Sequence, residues 1–92
     1  MTWDEYKQEV KASDPEAKYL IEQAEIEAHV QGAIYARRND LGISQRELAE
    51  QCEISQSLLA RIEGFKTTPR LDTLAKIFAR LGLRITVRDS EN

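Results

Sequence analysis

Between Ile43 and Lys66 the chain reads ISQRELAEQCEISQSLLARIEGFK, and this run contains two helix starts separated by a single short turn. Ser44-Gln45-Arg46-Glu47 has the S-x-x-E form of a capping box, in which the serine hydroxyl accepts from a first-turn N–H and the glutamate reaches back. Leu48, Ala49 and Cys52 then form an apolar face that stops at Glu53-Ile54, where Ser55 offers a second N-cap. In the helix that follows, Leu58, Leu59 and Ile62 share one side, and Gln56, Ser57, Ala60 and Arg61 share the other. Two short helices joined this tightly pack at a steep angle and leave the outer face of the second free. That face has no lysine–glutamate ladder of the kind that solvates an ordinary helix. It suits a DNA major groove, where glutamine reads adenine, arginine reads guanine and small residues allow close approach.

The same residues resemble a known family. Arg37-Arg38, Leu41-Gly42-Ile43-Ser44-Gln45, Glu47-Leu48-Ala49, Ile54-Ser55-Gln56-Ser57 and Arg61-Ile62-Glu63 look like the helix-turn-helix of the phage-repressor (Xre) proteins, over roughly residues 34–81. The resemblance implies a buried ion pair between Arg38, at the end of the first helix, and Glu63, at the end of the recognition helix. It also implies that Lys66-Thr67-Thr68 is a phosphate-contacting loop. The chain departs from the family in two places: Gly64-Phe65 replaces an asparagine or arginine followed by glycine, and Glu53 occupies the usual glycine of the inter-helix turn. Gly64 is expected to be the left-handed cap, and a non-glycine at Glu53 is expected to cost about 1 kcal/mol if it is left-handed. Arg70 stands where a serine cap is common, so the next helix is expected to start raggedly.

A net charge of −3 is unusual for a DNA binder, but the charge is unevenly distributed. Residues 1–31 hold eight acids against three lysines, whereas the remaining residues hold eight acids against ten bases. An acidic arm on a mildly basic domain points to two partners of opposite charge. The arm begins with a T-x-x-E cap at Thr2, followed by Trp3, Tyr6 and Val10 at helical spacing. Asp14-Pro15-Glu16 then breaks and restarts the helix. From Tyr19 to Ile34 the pattern reads as one long helix, or as two joined near Gly32. The first segment is too short to be a stable helix alone in water, so something must cover it. Either Trp3, Tyr6 and Val10 fold back on their own domain, or they dock on a partner with Tyr19 and Leu20.

At the other end, Leu71, Leu74, Ile77, Phe78 and Leu81 give an inner helical stripe closed by Gly82. Leu83, Ile85 and Val87 then alternate with Arg84, Thr86 and Arg88, which reads as a half-buried strand. No second strand is evident, so the ladder must come from another molecule: an identical strand across a two-fold axis, or a sheet edge on a different protein. The expected fold is therefore mainly α. It comprises a helical arm at 1–31, a phage-repressor-like helix-turn-helix bundle at 32–82, and one short C-terminal β-strand within 83–92 used for dimerisation.

The lone Cys52 excludes an internal disulfide and a cysteine-based zinc site, and it reads as a small core residue. His29 has no companions at ligand or catalytic spacing, and there is no phosphate loop or nucleophile–base arrangement. The expectation is therefore a non-enzyme without cofactor or metal. With neither a signal-peptide pattern nor a membrane-length apolar run, it is expected to be cytoplasmic and without membrane contact. The whole arrangement resembles the HigA-type antitoxins of type II toxin–antitoxin modules. That resemblance implies a homodimer that represses its own operon and neutralises a small basic mRNA-cleaving ribonuclease toxin of the RelE/HigB type. It implies Gln56, Ser57 and Arg61 on base edges of double-stranded operator DNA, Gln45, Lys66 and Thr67 on phosphates, and Trp3, Tyr6 and Tyr19 on the toxin. The alternatives are a stand-alone Xre-type repressor without a toxin, and a pure interaction module that never touches DNA.

Overall fold

Thr2 starts the first helix as its sequence requires: its hydroxyl accepts from the Glu5 N–H at 3.2 Å. The computed structural model describes residues 1–89. Among these, α1 spans Trp3–Ser13, α2 Pro15–Asp40, α3 Gln45–Cys52, α4 Gln56–Glu63 and α5 Leu71–Leu81. The chain divides into two units, Met1–Val30 and Gln31–Asn92.

In the first unit, the Asp14 carboxylate accepts from the Glu16 and Ala17 N–H groups at 3.1 and 3.3 Å, which caps α2 with Pro15 at its first position. Helix α2 then runs unbroken through Gly32 to Asp40. Lys11 and Lys7 converge from α1 on the α2 residue Glu25, at 3.2 and 3.4 Å. The hydrogen bond from Lys11 is the main cause that holds the Glu25 carboxyl below its usual range. This ion-pair clasp is therefore present at neutral pH and is released only when acidification passes that lowered value. No residue from 1 to 30 is buried. Trp3 and Tyr6 stack on each other with ring centroids 5.8 Å apart, yet both stay largely exposed, as do Tyr19, Leu20 and Ile26.

The second unit is built around a core. Helix α3 packs against α4 and α5. Ile34 from α2, Leu48, Ala49 and Cys52 from α3, Leu59 and Ile62 from α4, and Ile77, Phe78 and Leu81 from α5 are all buried. These are the apolar faces that helical spacing selects, so the burial that drives this unit together follows directly from residue order. Burial pushes the Cys52 thiol above its usual range, against the pull of Arg80 and Lys76, which fits an inert core residue. Leu71 is an exception to the inner stripe. It lies on the first turn of α5, where no described residue covers it, and stays 76% exposed.

Two further expectations are corrected. Gly64 is not left-handed, with φ −88; the residue that turns over is Phe65, at φ 58. The second concerns the C-terminal β-strand assigned to Leu83, Ile85 and Val87, because residues 83–89 form no strand. A strand exists only through ladder bonds to a neighbour, and the described residues contain no second strand. The Leu83 N–H instead closes the end of α5 by donating to the Phe78 carbonyl at 2.9 Å, with Gly82 left-handed at φ 70. Leu83 is half-buried, whereas Ile85 and Val87 are exposed. Residues 90–92 of the expected 83–92 segment lie outside the described residues.

Candidate nucleic-acid interface

Helix α3 begins with a complete capping box. The Glu47 N–H donates to the Ser44 hydroxyl at 3.0 Å, and the Ser44 N–H donates to the Glu47 carboxylate at 3.2 Å. Such a cap is worth about 1 kcal/mol. The helix ends where Glu53 adopts φ 57 and the Ile54 N–H reaches back to the Ala49 carbonyl at 3.0 Å. The left-handed turn is thus made without glycine. Ser55 then caps α4, accepting from the Leu58 N–H at 3.0 Å. Two residues at the surface, Glu53 and Ser55, therefore set the angle at which α4 leaves α3.

On α4, Gln56, Ser57, Ala60 and Arg61 are all exposed, while Leu59 and Ile62 face the core. The Ser57 hydroxyl lies 3.3 Å from that of Ser55, so the start of this face is a pair of hydroxyls beside the amide of Gln56. Arg46 pairs with Glu50 and Arg70 with Asp72, but among the described residues neither Arg61 nor Lys66 enters an ion pair. Their charges are available to an anion. Lys66 is exposed and Thr67 half-buried in the loop after α4.

The far end of α4 is fixed by a network centred on Glu63. Arg38 donates from Nε to Glu63 Oε2 and from Nη2 to Oε1, both at 2.8 Å, and from Nη1 to the Ile43 carbonyl at 2.9 Å. Both side chains are nearly sealed, at 10% and 3% exposure. The hydrogen bonds to Glu63 raise the Arg38 guanidinium further above its already high range, although burial opposes this. Gln45 joins the same network, donating to Glu63 Oε1 at 3.1 Å. Its side-chain amide is therefore tied to the scaffold, and the group it offers outward is its backbone N–H in the first turn of α3.

Sequence reasoning missed Gln31. This residue is buried, and its Nε2 donates to the carbonyls of Ile62 at 2.9 Å and Thr67 at 3.0 Å, which ties the end of α4 and the following loop to α2. The signal was available: Gln31, Ile34 and Arg38 lie at i, i+3 and i+7 on one helix face, so an amide there points inward. Arg37 makes a comparable tie, from Nε to the Leu81 carbonyl at 3.0 Å. Trp3, Tyr6 and Tyr19 belong to the first unit.

A presented polar helix held by caps at one end and an ion-pair network at the other is the geometry of a groove-reading element. Residues 34–87 match the family described as helix-turn-helix, which is more than half of the chain. The chain belongs to that helix-turn-helix family. As such it is a DNA-binding regulator type, and its presented helix is α4. Over 85 residues it is 29% identical to an uncharacterised HTH-type transcriptional regulator of Haemophilus influenzae, covering 92% of this chain and 82% of that protein. It is also similar to a solved chain of a toxin–antitoxin module from Streptococcus pneumoniae, with a TM-score of 0.76 and 33% identity, covering 99% of this chain and 94% of the other. No helix in the described residues is long and apolar enough to cross a membrane.

Proposed function

We propose that this helix-turn-helix protein is the antitoxin of a type II toxin–antitoxin module. In this reading it binds and neutralises a small basic mRNA-cleaving ribonuclease of the RelE/HigB type, and as a homodimer it represses its own operon. The observation that carries it is the extent of the likeness to the Streptococcus pneumoniae toxin–antitoxin chain, which includes the acidic N-terminal unit as well as the helix-turn-helix. That unit keeps Trp3, Tyr6 and Tyr19 exposed among carboxylates. Aromatic anchors with an acidic rim complement a basic protein surface.

Gln56, Ser57 and Arg61 take base edges in the major groove, and Gln45, Lys66 and Thr67 take flanking phosphates. Palindromic half-sites need two copies of α4, and the exposed Ile85 and Val87 with half-buried Leu83 supply apolar area for a contact between copies. Gln56→Ala should weaken operator binding by about 1–3 kcal/mol and relax preference at one base position. Lys66→Ala should weaken all sequences alike and lower the salt slope by about one. Identical behaviour of the two variants in a titration across salt concentrations would remove the division between readout and positioning.

The toxin half is tested by co-purification with the product of the reading frame adjoining the gene. The triple change Trp3→Ser, Tyr6→Ser and Tyr19→Ser should abolish capture while operator affinity is retained. Capture that survives places the toxin contacts elsewhere. If no basic partner co-purifies while the operator is still bound, the chain is a stand-alone repressor; its Haemophilus influenzae relative is named as a transcriptional regulator.

A further inference from the structure

The loop after α4 closes with two reverse bonds, from the Phe65 N–H to the Ile62 carbonyl at 3.2 Å and from the Lys66 N–H to the Arg61 carbonyl at 2.8 Å. This helix ending requires one left-handed residue, for which glycine is the usual choice because it has no β-carbon to clash. Here that residue is Phe65, at φ 58. A bulky residue held in this conformation is a genuine backbone outlier, and Phe65 is also 54% exposed. The chain therefore carries an unfavourable backbone and a water-exposed ring at the same position. Glu53 ends α3 in the same left-handed state, but a carboxylate at the surface needs no cover. Backbone outliers of this kind cluster at ligand-contacting positions.

The flanking residues indicate the ligand. Phe65 follows the face that ends at Arg61 and lies between Gly64 and the exposed Lys66. We propose that Phe65 is a DNA contact, its ring lying against the apolar C–H face of a deoxyribose while Lys66 takes the adjoining phosphate. The proposal rests on the operator-binding reading above and adds to it a contact that is apolar and independent of base sequence. Burial of a half-exposed ring against sugar should contribute about tenfold in affinity.

The test uses the full chain with two duplexes, the DNA immediately upstream of its own gene and a scrambled version. Phe65→Gly and Phe65→Asn both accept the left-handed conformation, and Glu53→Gly is the control at the equivalent position of α3. The two glycine variants should melt about 4–8 °C higher than the parent. Both Phe65 variants should lose about tenfold in affinity for both duplexes. Their slope of log affinity on log salt should stay that of the parent, because no phosphate contact is lost. Glu53→Gly should bind as the parent does.

The proposal is overturned if the Phe65 variants bind like the parent, or if only the glycine variant weakens, which would indicate loop freedom rather than the ring. It also falls if they melt lower, if they lose a dimer that the parent forms, or if their salt slope drops by about one. Arg61→Ala separates the two levels of the argument. A parent that binds neither duplex defeats operator binding and this contact together, whereas weakened Arg61→Ala beside intact Phe65 variants defeats this contact alone.

Discussion

Arg38→Ala should unfold the helix-turn-helix unit rather than merely loosen its grip on DNA. The substitution removes two charge-assisted bonds to Glu63 and one to the Ile43 carbonyl, and it leaves the Glu63 carboxylate 3% exposed with Gln45 as its remaining side-chain donor. An uncompensated buried charge costs about 3–5 kcal/mol. Folded domains typically have about 5–15 kcal/mol in all, and a unit this small sits near the low end. Urea titration followed by circular dichroism should show the midpoint falling to a small fraction of the parent's. Arg38→Lys should recover only part, because an ammonium cannot make the planar two-pronged contact. Replacing both members, Arg38→Met with Glu63→Leu, should recover most of the loss. An unchanged melting temperature for Arg38→Ala would show that the pair contributes little to the fold.

Gln31→Glu should be nearly as damaging at neutral pH, although it barely changes volume. The amide nitrogen donates to two carbonyl oxygens, and a carboxylate in its place would face both of them with no proton to share. A buried charge so placed costs several kcal/mol. The sign with pH is determined: burial and the two acceptors raise the introduced carboxyl's folded value above the unfolded value of about 4.3. The destabilisation is therefore full above the raised folded value. It declines as pH falls, and below the unfolded value only the cost of one O–H serving two carbonyls is left. Gln31→Leu has no charge to titrate, so it should lose only about 1–3 kcal/mol, with no comparable pH dependence. Thermal melts of both variants from pH 4 to 7 decide the matter, and parallel curves would contradict the assigned bonds.

These two positions differ in how visible they were before folding. The arginine at 38 and the glutamate at 63 came from a family resemblance, while Gln31 shows only as an amide on an otherwise inward stripe. The caps at Thr2, Asp14, Ser44 and Ser55 were readable because each closes onto an N–H two or three residues away. The exposed set Gln56, Ser57, Ala60 and Arg61 was readable for a similar reason, since helical spacing alone assigns it to one side. The helix ends were less legible. Gly64 was the natural candidate for the left-handed residue, yet the reverse bonds close one position later, on Phe65 and Lys66. Gln31 also bonds to the Ile62 and Thr67 carbonyls on either side of this turn, a long-range tie that no local pattern records. The C-terminal alternation has the period of a strand, but a strand needs a ladder that this chain does not supply among its described residues.

Residue order by itself determined where helices start, which faces turn inward and which polar face α4 presents, because all of these follow from interactions within one or two turns. What ties the far end of that face to the rest of the unit was decided by the tertiary structure. The Arg38–Glu63 bonds span 25 residues and the Gln31 bonds 31 and 36. Partners that far apart meet only when the core around Ile34, Leu59 and Ile62 has brought α2 and α4 together, and until then their donors and acceptors are satisfied by water.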